Sequence, residues 1–244
     1  MIDLYISFFK ETEKGTEHRI GRMLLEYGLR ERYGIEFENG WLEEGVNGKP
    51  HLRPFPDIHF NISHTEGLAV CAFADTPVGV DTEKVKKVRD PLVRRVLCRE
   101  EQDVLYRFRD SADMINGKEV SVFDDSERER EFDTVFFRYW TLKESYLKRE
   151  GCGLTREPGE IRFLLDPGDW ESPITCPGGQ AVCMQRRIQK NDGNPDTYVL
   201  SVCTGMEEGK EKKGVRYHKH KEGCRIFCGT LSCSMILRCI VCRI

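Results

Sequence analysis

No stretch of this chain approaches the roughly 20 apolar residues a helix needs to cross a bilayer. The best candidate, Ile226 to Leu237, is too short, is diluted by Gly229, Thr230 and Ser232, and runs into Arg238. A targeting signal is missing as well: Met1 to Lys10 carries Asp3 and has no basic start followed by a long apolar run. Positive charge is not in excess. The formal net charge of -3 gives no general attraction to nucleic acid or anionic membrane, so any basic site must be local. The eleven cysteines include no two facing CxxC pairs; only Cys239 and Cys242 make one, inside a Cys-rich end. Without a secretion signal, the expectation is a reducing cytoplasm, with Cys71, Cys183 and Cys203 acting as small buried hydrophobes.

What remains is enough for a core. Of 244 residues, 39% are hydrophobic and 32% charged, which fits one domain or two small ones. Ile20, Met23, Leu24 and Tyr27 form one stripe and predict a helix over His18 to Arg32. Strands are expected at Ile58–Ile62, Leu68–Ala74 and Val78–Glu83, and a helix from Asp90-Pro91 through Leu105. Residues 109–131, rich in charge, Ser and Gly, read as a mobile surface loop. A second helix, from about Asp133 to Arg149, stops at Gly151 and Gly153; strands at Ile161–Leu165, Ala181–Arg186 and Tyr198–Cys203 follow. The pattern predicts an α+β fold of two modules, each a helix with about three antiparallel strands. The expected boundaries are 1–108, the loop 109–131, a second module over 132–204, and a charged, then Cys-rich, disordered tail over 205–244.

Three places carry candidate chemistry. In Gly79-Val80-Asp81-Thr82-Glu83, positions two apart on a strand share a face, so Asp81 and Glu83 point together. Two adjacent carboxylates suit a magnesium ion, although a charged strand edge would read the same. In Trp140 to Lys148, Glu144 and Lys148 are four apart on one helical face: an ordinary surface pair, or a third carboxylate and a cation for a phosphate. Ser63 and His64 end a strand, and Gly48-Lys49-Pro50 sets a lysine on a loop. Together they suggest a phosphate cradle.

In this order, Gly48–Pro50, Phe60–Thr65, Gly79–Glu83 and Trp140–Leu154 resemble the 4'-phosphopantetheinyl transferases of the surfactin-synthetase (Sfp) type, over roughly His18 to Cys203. The resemblance implies a pseudo-twofold pair of α/β modules with coenzyme A bound between them. It implies that Asp81, Glu83 and Glu144 hold magnesium, for which manganese can substitute. Lys49, Ser63, His64 and, one residue after His18, Arg19 would contact the nucleotide phosphates, with Lys148 beside the diphosphate. The implied reaction moves the phosphopantetheine arm onto a serine of an apo acyl or peptidyl carrier protein and releases 3',5'-ADP. Glu144 is then the candidate base, with Lys148 and Asp81 as its catalytic partners, in a cytoplasmic monomer. The nucleophile belongs to the carrier, in keeping with a chain that shows no nucleophile elbow. Two rival readings are a magnesium-dependent diphosphate hydrolase, which mass added to a carrier excludes, and a non-catalytic carrier-binding relative, for which calorimetry with coenzyme A, with and without magnesium, is the check.

Overall fold

The computed structural model describes residues 1–10, 14–45, 47–110, 113–115, 118–120, 125–190, 196–206, 224–226 and 237–241. Its elements in chain order are β1 (Ile2–Phe8), α1 (Thr16–Tyr33), β2 (Leu42–Glu44), β3 (Pro50–Leu52), β4 (His59–Thr65), β5 (Leu68–Ala74) and β6 (Val78–Lys84). Next come α2 (Asp90–Val96), α3 (Arg99–Asp110), β7 (Asp113–Ile115), β8 (Lys118–Val120) and α4 (Asp125–Glu150). The last are β9 (Ile174–Thr175), β10 (Ala181–Lys190), β11 (Thr197–Gly205), β12 (Cys224–Ile226) and β13 (Leu237–Val241).

Two sheets dominate: β13-β1-β5-β4, antiparallel except for the parallel β13–β1 pair, and the wholly antiparallel β12-β10-β11-β6. One topology is used twice. A strand (β1 or β6) leads to a helix (α1 or α4) and then to two strands, the last of which inserts in the middle. This is the α+β pair of modules that the pattern predicted. Three apolar clusters hold it together. Tyr5, Leu24, Leu25, Leu29 and Phe73 pack α1 against the first sheet. Phe136, Leu142, Cys183, Val199 and Cys203 pack α4 against the second. Between the sheets, Ile2, Leu4, Val70, Val80, Leu200 and Val202 form a third layer. Burial of each such side chain stabilises by about 1.5–3 kcal/mol before entropy is counted.

The module boundary differs from the expected one. β6 pairs with β11, Asp81 opposite Ser201, so by sheet membership the chain divides between β5 and β6 and not after 108. Strand periodicity reveals that a strand exists, not its partner. β1 had no counterpart in the sequence pattern. It is buried on both faces and lacks the polar alternation that marks a half-buried strand.

The helix expected from Asp90 to Leu105 is two helices. Leu97 adopts an extended backbone, and the Glu101 carboxylate accepts from the Cys98 N–H at 3.0 Å, starting α3 afresh. Glu101 also receives the buried Lys143 ammonium at 2.5 Å and the Phe163 N–H at 2.8 Å. That last bond replaces a ladder partner. Residues 161–165 accordingly run without strand pairing, although their side chains alternate in and out as expected.

Within 109–131, the structure corrects the single loop. α3 continues to Asp110, β7 pairs with β8, and α4 begins at Asp125. Its first turns are Glu- and Arg-rich, good helix formers whose uniform polarity hides the period; residues 111–112, 116–117 and 121–124 lie outside the described residues. The tail is corrected likewise. β13 joins β1 in parallel, Ile2 opposite Leu237, and β12 joins β10, Ile188 opposite Ile226. Residues 207–223, 227–236 and 242–244, with Cys242 of the CxxC pair, lie outside the described residues. Among the described residues no helix is long and apolar enough to cross a membrane.

Candidate functional site

The site grows from the seam between β4 of the first sheet and β6 of the second. Asn61, Ser63 and Thr65 are polar at alternate positions of β4, on the face that would otherwise join the apolar layer. Each accepts a backbone N–H of β6: Val80 to Asn61 Oδ1 at 2.8 Å, Thr82 to Ser63 Oγ at 3.2 Å, Lys84 to Thr65 Oγ1 at 3.3 Å. The edge of β6 is thus satisfied by side chains where a neighbouring strand would otherwise be needed. The freed hydroxyl protons turn to the acids. Ser63 donates to Asp81 Oδ1 at 3.0 Å and Thr65 to Glu83 Oε2 at 3.2 Å.

The other face of β6 lies beneath α4. Gly79 permits the approach, since a Cβ there would meet the Ser145 carbonyl oxygen at 2.0 Å and the Arg149 nitrogen at 2.3 Å. With the helix that close, Lys148 reaches Asp81 Oδ1 at 2.6 Å and Ser63 Oγ at 3.2 Å. Glu144 stands one turn earlier on the same face. Burial, and then the Asp81 charge, hold the carboxyls of both Glu83 and Glu144 above their ordinary range; Thr65 pulls Glu83 partly back. Asp81 is 4% exposed, and its Oδ2 is buried with no partner. Hard oxygen donors, mutual repulsion and an orphaned carboxylate oxygen fit a divalent cation. The counter-charge that Asp81 meets in the structure is the Lys148 ammonium, and the three carboxylates do not draw within 4.8 Å of one another.

The remaining expected residues surround this seam in different ways. His64 alternates away from Ser63 toward α1. Its ring meets that of His18 edge-on at 4.7 Å, and burial followed by His18 pushes its pKa down. Arg19 is exposed on the first turn of α1, next to His18. Lys49 is tied to protein: it donates to the carbonyls of Val78 at 2.9 Å and Arg149 at 3.2 Å. Burial, then Arg149, lowers its pKa to about 8. Asn47 from the same loop donates to the Gly151 carbonyl at 2.8 Å, closing the loop over the end of α4. A cleft of about 280 Å³ opens here, lined by Asn47, Lys49, Pro50, His51, His59 and Phe60. Sequence reasoning missed Asn61, Thr65, Asn47 and the steric role of Gly79. In the sequence, Asn61 is visible only as a polar neighbour with which Ile58, Phe60 and Ile62 alternate, and Thr65 only as the end of the same segment.

Comparison with known proteins agrees with this geometry. Residues 77–203 match the family model of the 4'-phosphopantetheinyl transferase superfamily, a span that runs from the residue before β6 into β11. The chain is 28% identical over 186 residues to "4'-phosphopantetheinyl transferase psf-1" of Bacillus pumilus, covering 76% of this chain and 69% of that protein. It is 26% identical over 201 residues to "4'-phosphopantetheinyl transferase Sfp" of Bacillus subtilis (strain 168), covering 81% and 79%. A mouse protein named L-aminoadipate-semialdehyde dehydrogenase-phosphopantetheinyl transferase is 26% identical over 160 residues, covering 60% and 46%.

Proposed function

Because the chain belongs to the 4'-phosphopantetheinyl transferase superfamily, we propose that it transfers the phosphopantetheine arm of coenzyme A to a serine of an apo carrier protein. The observation that carries this reading is the seam itself. Asp81 and Glu83 from β6, and Glu144 and Lys148 from α4, face one place where two modules meet.

In the reaction the carrier's serine oxygen bonds to the β-phosphorus of the coenzyme A diphosphate, and the bond to 3',5'-ADP breaks. Glu144 takes the serine proton. Its raised pKa brings it nearer to working pH than an exposed glutamate, which suits a base that must also release the proton. Lys148 turns from Asp81 toward the diphosphate and balances the negative charge that gathers as the leaving oxygen departs. Asp81, Glu83 and Glu144 would hold magnesium, or manganese in its place, and the bound ion supplies charge neutralisation and orientation of the diphosphate. Lys49, Ser63, His64 and Arg19 form the rim for the nucleotide phosphates. For Lys49 and Ser63 this means exchanging a protein acceptor for a phosphate oxygen. The enzyme is read as a cytoplasmic monomer.

The test is a panel of apo carrier proteins incubated with coenzyme A and magnesium and weighed by mass spectrometry. A phosphopantetheine increment on the carrier serine is expected. Release of 3',5'-ADP with no mass gain on any carrier would mean hydrolysis and overturn the reading.

A further inference from the structure

Three cysteines meet beneath α4, beside the acidic seam, with Cys203 on β11 opposite Gly79 of β6. Cys183 and Cys203 are directly opposed across β10 and β11. Cys176 sits at the turn of the β9–β10 hairpin, its N–H donating to the Ala181 carbonyl at 2.9 Å. Its sulfur lies 3.4 Å from that of Cys183 and 3.4 Å from that of Cys203. All three sulfurs are within 4.8 Å of one another, and the residues are 3%, 0% and 0% exposed. Three small hydrophobes would fill this space as well, but they would not need their reactive atoms to converge on one point.

We propose that Cys176, Cys183 and Cys203 form a three-thiolate site for a soft monovalent metal ion, copper(I). Thiolates select soft ions. Structural zinc sites take four ligands, and among the described residues no fourth Cys, His, Asp or Glu joins the group. Copper(I) is satisfied by three sulfurs. A disulfide would use two of them and strand the third, whereas Cys176 is equally close to both partners. Binding is balanced as one copper(I) and three thiols giving a trithiolate complex and three released protons. The complex carries two negative charges. The cation nearest in effect is Arg149, which favours the thiolate at Cys176 and at Cys203 and whose Nε is buried without a partner.

The cluster has a way in. A surface cavity of about 450 Å³, bordered by Leu164, Ile174, Thr175 and Pro177, reaches Cys176. The adjoining Gly178 and Gly179 are exposed, so the turn beside Cys176 borders solvent. Occupied, the site would fasten this hairpin to the sheet floor under α4; Ser145, whose carbonyl rests on Gly79, lies 4.0 Å from the Cys183 sulfur.

The test uses the full chain with Cys224, Cys228, Cys233, Cys239 and Cys242 changed to Ser, so that the C-terminal thiols do not compete. Reduced protein receives copper(I) anaerobically and is then desalted against a chelator. Expected are one copper per chain, a shell of three sulfurs by X-ray absorption and a rise in Tm. Cys176→Ala and, separately, Cys203→Ala should each lose that one equivalent while keeping the parent's circular dichroism. Unchanged copper content in both variants, a two-sulfur shell, or zinc retained in preference to copper would overturn the assignment.

Discussion

Asp3 with Arg32 and Asp81 with Lys148 are one arrangement occurring once in each half of the molecule. Each sets an aspartate on the first strand of its module beneath a cation near the end of the helix packed on that module, α1 or α4, at 2.7 Å and 2.6 Å. Each aspartate keeps one buried oxygen without a partner. The surroundings separate them. Arg32 forks to a second acid, Asp75, at 2.5 Å, and Asp75 also holds the N-terminal ammonium at 2.7 Å. Charge there is matched by charge, and the result is a clamp. Around Asp81 the additional groups are two more acids, Glu83 and Glu144; Lys148 acts on all three, and Lys86 adds only to Glu83. The first half uses its ion pair to hold the fold; the second keeps an excess of negative charge, which the proposed function assigns to a bound cation.

The strongest way to break this comparison is through turnover. Glu144→Gln should lower carrier modification by ~100- to 10,000-fold, the range for loss of a positioned base, and Lys148→Ala should lower it by orders of magnitude. Arg32→Ala should leave it within about twofold while lowering Tm. Equal losses of turnover in both halves, measured as carrier mass per unit time, would mean that the two pairs do the same job.

How far the sequence foretold this contrast depends on range. Asp81 and Glu83 on one strand face, and Glu144 with Lys148 on one helical face, follow from local period, and the structure keeps both placements. The helix α1 and the strands β4, β5, β10 and β11 were legible for the same reason. Pairing was not. That β6 crosses to the second sheet, and that Asn61, Ser63 and Thr65 dock on its edge, depends on contacts 18 or more residues apart. Lys143 shows the same limit. It neighbours Glu144 in sequence but is fully buried, donating to Glu101, to the Val96 carbonyl at 2.8 Å and to the Pro158 carbonyl at 3.1 Å. Its role is to anchor α4, and no spacing rule separates it from Glu144, the neighbour proposed as the base.

A smaller effect sharpens the comparison through packing. Gly79→Ala drives a methyl group into helix backbone and should cost about 3 kcal/mol or more in chemical denaturation. At the other helix–sheet contact, Gly28→Ala, on α1 itself, meets the rings of Phe73 and Tyr5, side chains and not backbone, and should cost about 1–2 kcal/mol. Reversed costs would show that α1, not α4, sets the tighter approach.

Next in size is the aspartate itself. Asp3→Asn should destabilise by about 2 kcal/mol, the scale of a charged hydrogen bond lost at a largely buried pair. Asp81→Asn should cost less than half of that, because losing the Lys148 pair is offset by relief of Glu83 and Glu144, while abolishing activity. Denaturant midpoints of the two variants decide it.

The smallest effect is the pH dependence of the metal-free chain. Glu83 and Glu144 bind protons more readily folded than unfolded, since burial and Asp81 raise them from 4.5. Their contribution to stability is complete below 4.5 and is lost as pH rises through the folded values. Tm should therefore fall over that window, and the slope should flatten in Glu83→Gln or on adding magnesium. A rising Tm attributable to these two groups would contradict the site's excess of negative charge.

The row of three side-chain acceptors on β4 has a consequence for how the chain comes apart. Cutting the polypeptide at Pro77 would leave the Val80, Thr82 and Lys84 amides of β6 bare along an open strand edge, a template for pairing with whatever strand is nearest. The halves are therefore not two beads on a string, although their topologies match. They should melt in a single calorimetric transition, and the excised second half should associate with itself.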